Sequence, residues 1–206
     1  MILIIDYNAG NLTSVKRALD YLEIDSIITG DSTAVENAER IIFPGVGHAG
    51  AAMAVLQSRG LDRAIKEAFG KGVPIFGICL GTQIILSRSE EGDTDCLDLI
   101  EGFCPKFKLS DPALKIPHMG WNGVVVTQPH FLLKDIKEGD EFYFVHSYYP
   151  QPANREQVFA VAGYAIEFPV AIGYKNLFAT QFHPEKSGPV GLQVLKNFSE
   201  WDGASC

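Results

Sequence analysis

The sequence is poor in cysteine, and the few it has are not paired. Cys79, Cys96, Cys104 and Cys206 are the four cysteines in 206 residues, with no Cys-x-x-Cys among them. Their spacing suggests neither a zinc site nor a disulfide framework, so no metal and no cofactor is expected. A reducing compartment, the cytoplasm, is the expected location. Apolar runs are short as well. None approaches the roughly 18 residues of a membrane span, and the opening Met-Ile-Leu-Ile-Ile-Asp lacks the basic stretch of a signal peptide, so no membrane association is expected. Basic residues are outnumbered, 17 Lys and Arg against 25 Asp and Glu, for a formal charge of −8. A nucleic-acid binder needs clustered cations to release counterions, so nucleic acid is excluded as an expected partner. Repeats, low-complexity tracts and linkers are absent too, which points to one domain over residues 1–206 with a core ending near 202. A chain of this length buries roughly 70% of the surface that its unfolded form exposes, and it needs no staple.

What is present is an alternation of strand and helix. Residues 2–5 form a short apolar run ending at Asp6, as a buried parallel strand does. Further strands are expected at 24–28, 41–43 and 73–78. Helices are expected at 12–22, where Leu12, Val15, Leu19 and Leu22 recur at helical spacing, and at 49–56, 61–69 and 82–86. The second half reads as short strands at 124–126, 142–145, 158–161, 171–174 and 178–182, separated by turn residues, which suggests antiparallel additions. A last helix is expected over 188–201. This pattern predicts a three-layer α/β domain, whose working residues gather at the carboxyl ends of the strands.

The most informative local feature is Gly77-Ile78-Cys79-Leu80-Gly81, a Gly-x-nucleophile-x-Gly run between an apolar strand and a helix. Glycines two before and two after Cys79 permit a sharp, strained turn that lifts the sulfur above the sheet. The adjoining helix N-terminus favours thiolate, and the Leu80 N–H points towards an oxyanion formed at the sulfur. Taken alone, the cysteine is equally readable as a buried core residue. Cys96, Cys104 and Cys206 lack this setting and read as structural or incidental.

A thiolate needs a base, and the base an orienting group. His183 stands in Thr180-Gln181-Phe182-His183-Pro184-Glu185-Lys186, at the end of an apolar run that would bring it to the same sheet edge as Cys79. Glu185, two residues on, is close enough to fix its tautomer, and Pro184 stiffens the segment. His146 ends another strand and reads either as a substrate-pocket residue or as a satisfied structural histidine. His118 and His48 read as non-catalytic, and His130, after Gln128-Pro129, as a surface loop residue. Pro44-Gly45-Val46-Gly47 follows a strand and can present backbone N–H groups to an oxyanion, although a plain turn also favours glycine.

In order along the chain, Pro44-Gly45-Val46-Gly47, Gly77-Ile78-Cys79-Leu80-Gly81-Thr82-Gln83 and His183-Pro184-Glu185 resemble the class I, triad-type glutamine amidotransferases. Asp6-Tyr7-Asn8-Ala9-Gly10-Asn11-Leu12, Pro117-His118-Met119-Gly120-Trp121-Asn122, Tyr143-Phe144-Val145-His146-Ser147-Tyr148 and His183-Pro184-Glu185-Lys186-Ser187 narrow the resemblance to the glutaminase subunits of imidazole glycerol phosphate synthases. It extends over about residues 1–200. The family usually has Gly where this chain has Asn8, often Met where it has Thr82, and a more glycine-rich spacing than residues 92–99 show.

The resemblance implies a flavodoxin-like, three-layer α/β fold with a mainly parallel central sheet and added antiparallel strands. It implies L-glutamine as substrate, with Cys79 as nucleophile, His183 as base and Glu185 as its orienting group. Leu80, Val46 and Gly47 would form the oxyanion hole. Gly45, Gln83, Glu91, His146, Ser147 and Tyr148 would hold glutamine. The ammonia would pass through a channel to a (β/α)8 cyclase subunit in a heterodimer, and Asn11, Tyr143 and Lys186 would face that subunit. The products there would be imidazole glycerol phosphate and an aminoimidazole carboxamide ribonucleotide, in histidine biosynthesis. Low activity until the partner is docked and loaded is part of the same expectation, with the strand at 44–47 as the switch. The competing reading is a paralogous subunit feeding ammonia to a different synthase, such as a nucleotide-sugar aminating enzyme.

Overall fold

Fully apolar runs become strands buried on both faces, and amphipathic runs become the helices that cover them. The computed structural model describes residues 1–111 and 113–204; Cys206 lies outside the described residues. Its first half alternates β1 (Ile2–Ile5), α1 (Leu12–Tyr21), β2 (Ser26–Thr29), α2 (Ser32–Glu36), β3 (Ile41–Gly45), α3 (Ala49–Ser58), α4 (Leu61–Gly70), β4 (Ile75–Cys79) and α5 (Leu80–Ile84). The remainder contains β5 (Arg88–Ser89), β6 (Thr94–Asp95), β7 (Gly102–Cys104), β8 (His118–Gly123), β9 (Val125–Val126), β10 (Glu141–His146) and β11 (Gln151–Pro152). It ends with β12 (Val158–Tyr164), β13 (Ile166–Tyr174), β14 (Leu177–Thr180) and α6 (Gly188–Glu200).

The main sheet has eight strands in the order β2-β1-β3-β4-β14-β13-β12-β9. Side chains alternate across it. Leu3 and Ile5 pack with Met53, Leu56 and Ile65 of α3 and α4, while Ile2 and Ile4 pack with Val15 and Leu19 of α1 and with Val194, Leu195 and Phe198 of α6. Two cores on opposite faces of one sheet make the three-layer α/β arrangement expected from the sequence. Two smaller units flank it: the antiparallel ribbon β8–β10, and the short-stranded sheet β11-β7-β5-β6.

Several boundaries differ from the sequence reading, each for a local reason. The run at 178–182 reads as an antiparallel addition; β14 does pair antiparallel with β13, but on its other side it pairs in parallel with β4, fully buried in the centre of the sheet. It ends at Thr180, so Phe182 and His183 lie beyond the ladder. The helix expected at 82–86 is α5, which starts immediately after Cys79. The two edge strands of the main sheet depart from their expected bounds. β2 is shifted to Ser26–Thr29, and β9 is only two residues long, because neither has partners on both sides to extend it. The ribbon strand β8 escaped notice because His118–Gly123 has neither an apolar run nor a clean alternation. The departures from the family pattern have simple accommodations. Asn8 adopts φ 62°, the left-handed region that glycine favours and asparagine tolerates. Thr82 donates its hydroxyl proton to the Thr180 carbonyl at 2.5 Å, tying α5 to β14.

His130 is not a surface loop residue. It is buried, and its ring stacks on Phe178 at 4.0 Å between centroids, with Phe159 and Trp201 edge-on. Its Nδ1 accepts the Leu132 N–H at 3.1 Å, so the hydrophilic dipeptide before it conceals a core position. Burial lowers the pKa of His130 to about 4, of His118 to about 4 and of His146 to about 3. In the unfolded chain each returns to about 6.5. Above that value these rings are neutral in both states. As pH falls, the unfolded chain takes up protons that the fold refuses, so stability is lost through the folded pKa values. Urea unfolding midpoints are therefore expected to drop between pH 6.5 and 4.5. In His130→Phe, which keeps the stacking and cannot titrate, the slope of unfolding free energy should be shallower by up to about 1.4 kcal/mol per pH unit.

Candidate active site

Cys79 ends β4 with φ 54° and ψ −103°, a conformation that side-chain-bearing residues avoid. Such strain, of order 1–3 kcal/mol, persists only when the surroundings impose it. Two glycines let them do so. A Cβ on Gly77 would come to 2.9 Å from the Ala179 Cβ, and one on Gly81 to 1.9 Å from the Phe43 carbonyl oxygen. β3 and β14 thus close on the turn from both sides, and Cys79 points out of the sheet instead of along it. The sulfur lies 4.0 Å from the Val145 carbonyl and receives the Gln181 side-chain amide at 3.7 Å.

The histidine reaches Cys79 because β14 is the neighbour of β4, with Thr180 opposite Ile78. Beyond the strand, the His183 N–H donates to the Tyr143 carbonyl at 2.9 Å, and the Ser187 hydroxyl donates to the His183 carbonyl at 2.6 Å. With its backbone held at both ends, the ring turns Nδ1 to Glu185 Oε1, 2.7 Å away, and both side chains are fully buried. The Asn11 side-chain amide donates to the same carboxylate oxygen and lies 3.4 Å from His183 Nδ1. His183 Nε2, buried and without a conventional partner, is left for the sulfur. Burial alone would lower the pKa of this imidazole. The neighbouring Cys79 sulfur and Glu185 outweigh it and raise the value to about 10, so the ring carries its proton at neutral pH.

Cys79 opens onto a cleft of about 240 Å³. Val46, Gly47, Leu80, Gln83, Glu91, His146, Ser147 and Tyr148 line it, so the structure gathers nearly all the residues singled out in the sequence around one sulfur. Pro117 and Val145 complete the wall. Gly45 is not part of the wall and lies under the side chain of Tyr7. His183 and Glu185 stand behind Cys79. A larger cleft, about 690 Å³, lies at the far edge of the sheet among β11, β12 and β13 and contains none of these groups. Among the described residues no cluster of His, Cys, Asp and Glu is placed to hold a metal ion.

The polar walls are locked by their own hydrogen bonds. Gln83 Nε2 donates to the Tyr148 carbonyl and to Gln181 Oε1, both at 3.2 Å, leaving the Gln83 carbonyl oxygen to face the cleft. Glu91 Oε2 accepts the Ala49 N–H at 2.7 Å, at the start of α3. His146 is both pocket wall and satisfied core histidine. Its Nδ1 donates to the Tyr148 carbonyl at 2.7 Å, which leaves Nε2 to accept from His118 Nδ1 at 2.9 Å. His118 Nε2 in turn accepts from Asn122 at 3.3 Å. These tautomers follow from the direction of the chain of donors.

Gln181 and Tyr7 are the two residues that the sequence reading passed over. Gln181 was visible in the run Thr180-Gln181-Phe182-His183, but nothing in the sequence told its buried amide from any other strand glutamine. Tyr143 and Lys186 meet at the surface, with Lys186 Nζ 6.0 Å from the Tyr143 ring centre. Trp121 stands edge-on to the same ring, and Met119 and Trp121 are 62% and 55% exposed. Asn11 lies at the border of this face with its amide committed to Glu185.

Comparison with known proteins shows the family. Residues 3–200 match the family described as Glutamine amidotransferase class-I. The chain is 47% identical over 203 residues to the imidazole glycerol phosphate synthase subunit HisH of Nitratidesulfovibrio vulgaris, covering 96% of this chain and 95% of that one. It is 46% identical over 209 residues to the subunit of the same name from Neisseria meningitidis serogroup B, covering 96% and 98%. Among solved structures, a glutamine amidotransferase crystal structure superposes with a TM-score of 0.74 at 17% identity, covering 99% and 100%. PurLQS from Thermotoga maritima gives 0.74 at 18%, covering 97% of each chain, and these two likenesses speak to the fold.

The three described thiols should differ in reactivity. Burial raises the Cys96 pKa to about 11 and pushes that of Cys104 well above its ordinary value. Iodoacetamide at pH 7 is therefore expected to modify Cys79 first, read by peptide mass mapping. In His183→Asn the Cys79 rate should fall on the order of tenfold, because the sulfur loses its cationic neighbour.

Proposed function

Because the chain belongs to the class I glutamine amidotransferase family, we propose that it is a glutaminase subunit that hydrolyses L-glutamine and delivers the ammonia to the (β/α)8 cyclase subunit of an imidazole glycerol phosphate synthase. Residues 1–206 are read as one such domain. The observation that carries the reading is the buried line Glu185–His183–Cys79 opening on a cleft of about 240 Å³. That volume lies below the roughly 300–1,000 Å³ of drug-sized sites and suits one small amino acid.

The chemistry runs from the protonation states. The Cys79 thiolate attacks the carboxamide carbon of glutamine, and the carbonyl oxygen becomes an oxyanion. The Leu80 N–H and a backbone N–H of the Val46–Gly47 turn face that oxygen. His183, held as imidazolium, gives its proton to the nitrogen, and ammonia leaves as the thioester forms. The now neutral imidazole takes a proton from water, whose oxygen attacks the thioester carbon. Glutamate departs and the thiolate–imidazolium pair is restored. Glu185 and Asn11 keep the ring aimed throughout. The Gln83 oxygen and the Glu91 carboxylate suit the α-ammonium group of glutamine, and the peptide of His146, Ser147 and Tyr148 supplies the facing wall. Gln181 keeps Gln83 and the sulfur in register.

The partner face is read around Lys186, Tyr143 and Asn11, where the exposed Trp121 and Met119 add apolar surface. Ammonium is not a nucleophile, so a dry passage from Cys79 to the acceptor preserves the reactive form. The full-length relatives at 46–47% identity are imidazole glycerol phosphate synthase subunits, which supports this acceptor over a nucleotide-sugar aminating enzyme. Reconstitution with such a cyclase subunit tests the reading. Glutamate release is expected to be slow for the lone chain and to rise strongly when the partner carries the ribulosyl nucleotide. Cys79→Ala should abolish glutamine-dependent synthesis while synthesis from ammonium salts persists. Loss of both, or full activity of the lone chain, would contradict the division of labour.

A further inference from the structure

Tyr7 follows β1 and is 1% exposed, yet its hydroxyl has no hydrogen-bond partner. Its ring packs on Phe43 at 5.1 Å between centroids. The hydroxyl rests on Gly45, close enough that a Cβ there would come to 1.9 Å from it. Gly45 has no positive φ. Its lack of a side chain is needed for this approach and not for backbone freedom. Three residues on, Gly10 lies against Val46, where a Cβ would meet Val46 Cγ2 at 3.0 Å. The segment from Tyr7 to Asn11 therefore underlies the Gly45–Val46 peptide at both of its residues and then reaches the Glu185 carboxylate through Asn11.

A buried donor without a partner is costly, and a tyrosine in an apolar cluster with Phe43 and Leu80 could be replaced by phenylalanine without that cost. We propose that Tyr7 is a positioning residue for the oxyanion strand, its hydroxyl donating to the Gly45 carbonyl when the Val46 N–H turns into the oxyanion hole. This rests on the reading of residues 44–47 as that strand. In a trans peptide the N–H and C=O point in opposite directions. Val46 lines the cleft and Tyr7 does not. Turning the Val46 N–H to the cleft therefore sends the Gly45 carbonyl to the side where Tyr7 waits. The orphaned hydroxyl disfavours the resting arrangement, and its new bond favours the turned one. Burial keeps the phenol protonated, with the Cys79 charge acting in the same direction, so the donor is present at every working pH.

Tyr7→Phe separates this role from packing, because the two make opposite predictions. The lone variant should melt higher by about 2–4 °C, since an unpaired donor is removed. In the complex with a loaded cyclase subunit, its kcat for glutamate release should fall about five- to tenfold, the worth of one neutral hydrogen bond, with KM for glutamine unchanged. Synthesis from ammonium salts and Cys79 alkylation should match wild type. A lower melting temperature together with lower kcat would assign Tyr7 to packing and overturn the proposal, as would an unchanged kcat. If the wild-type chain itself is not stimulated by the loaded partner, the reading of the strand as a switch fails first, and this proposal falls with it.

Discussion

Everything at the site depends on one strained residue. Cys79 holds φ 54° without being glycine, and it can do so only because β3 and β14 press on the turn from either side. The sheet is therefore the clamp as well as the scaffold. Relaxing Cys79 would require moving Phe43 or Ala179, each fully buried in a central strand. The strain of the elbow is set against the packing of the whole core, a much larger reservoir.

A second dependence is electrostatic. Glu185 and His183 are both withdrawn from water, where an unpaired charge would be prohibitive. They are tolerated because each answers another: carboxylate to imidazolium, imidazolium to sulfur, with Asn11 donating to the same carboxylate oxygen as His183. The neighbouring histidines behave in the opposite way. His118 and His146 have no carboxylate or sulfur beside them, and burial, joined at His146 by the nearby His183 charge, drives both to the uncharged form. Within one small region burial makes one imidazole acidic and fails to do so for another, and the difference lies wholly in what faces the ring.

The strands of the first half and the nucleophile turn were legible because they rest on local patterns: continuous apolar runs for β1, β3 and β4, and two glycines bracketing Cys79. His146 was readable as a pocket residue from its place at a strand end, but the grouping of Gln83, Glu91, Ser147 and Tyr148 around Cys79 was reachable only through resemblance, since no spacing rule joins segments so far apart. What escaped were features created by tertiary contact. His130 sits in a hydrophilic stretch yet is stacked on Phe178, and β14 looks like any short strand until its place beside β4 is known. Tyr7 and Gln181 gain significance only from what lies against them. The residues 118–123 had too little apolar character to show as a strand, because that ribbon spends one face on histidine and asparagine and the other on solvent.

The central position of β14 has a consequence for the order of assembly. It supplies the strand between β4 and β13 and leads directly to His183, although it is made after nearly nine-tenths of the chain. A nascent chain can carry Cys79 long before it carries the imidazole that will stand beside it. Until residues 177–185 have emerged and slotted in, one side of the elbow has no wall and the thiol has no cation beside it. The surroundings of the sulfur are thus assembled only when the sheet is completed, by a strand that arrives last among its central members.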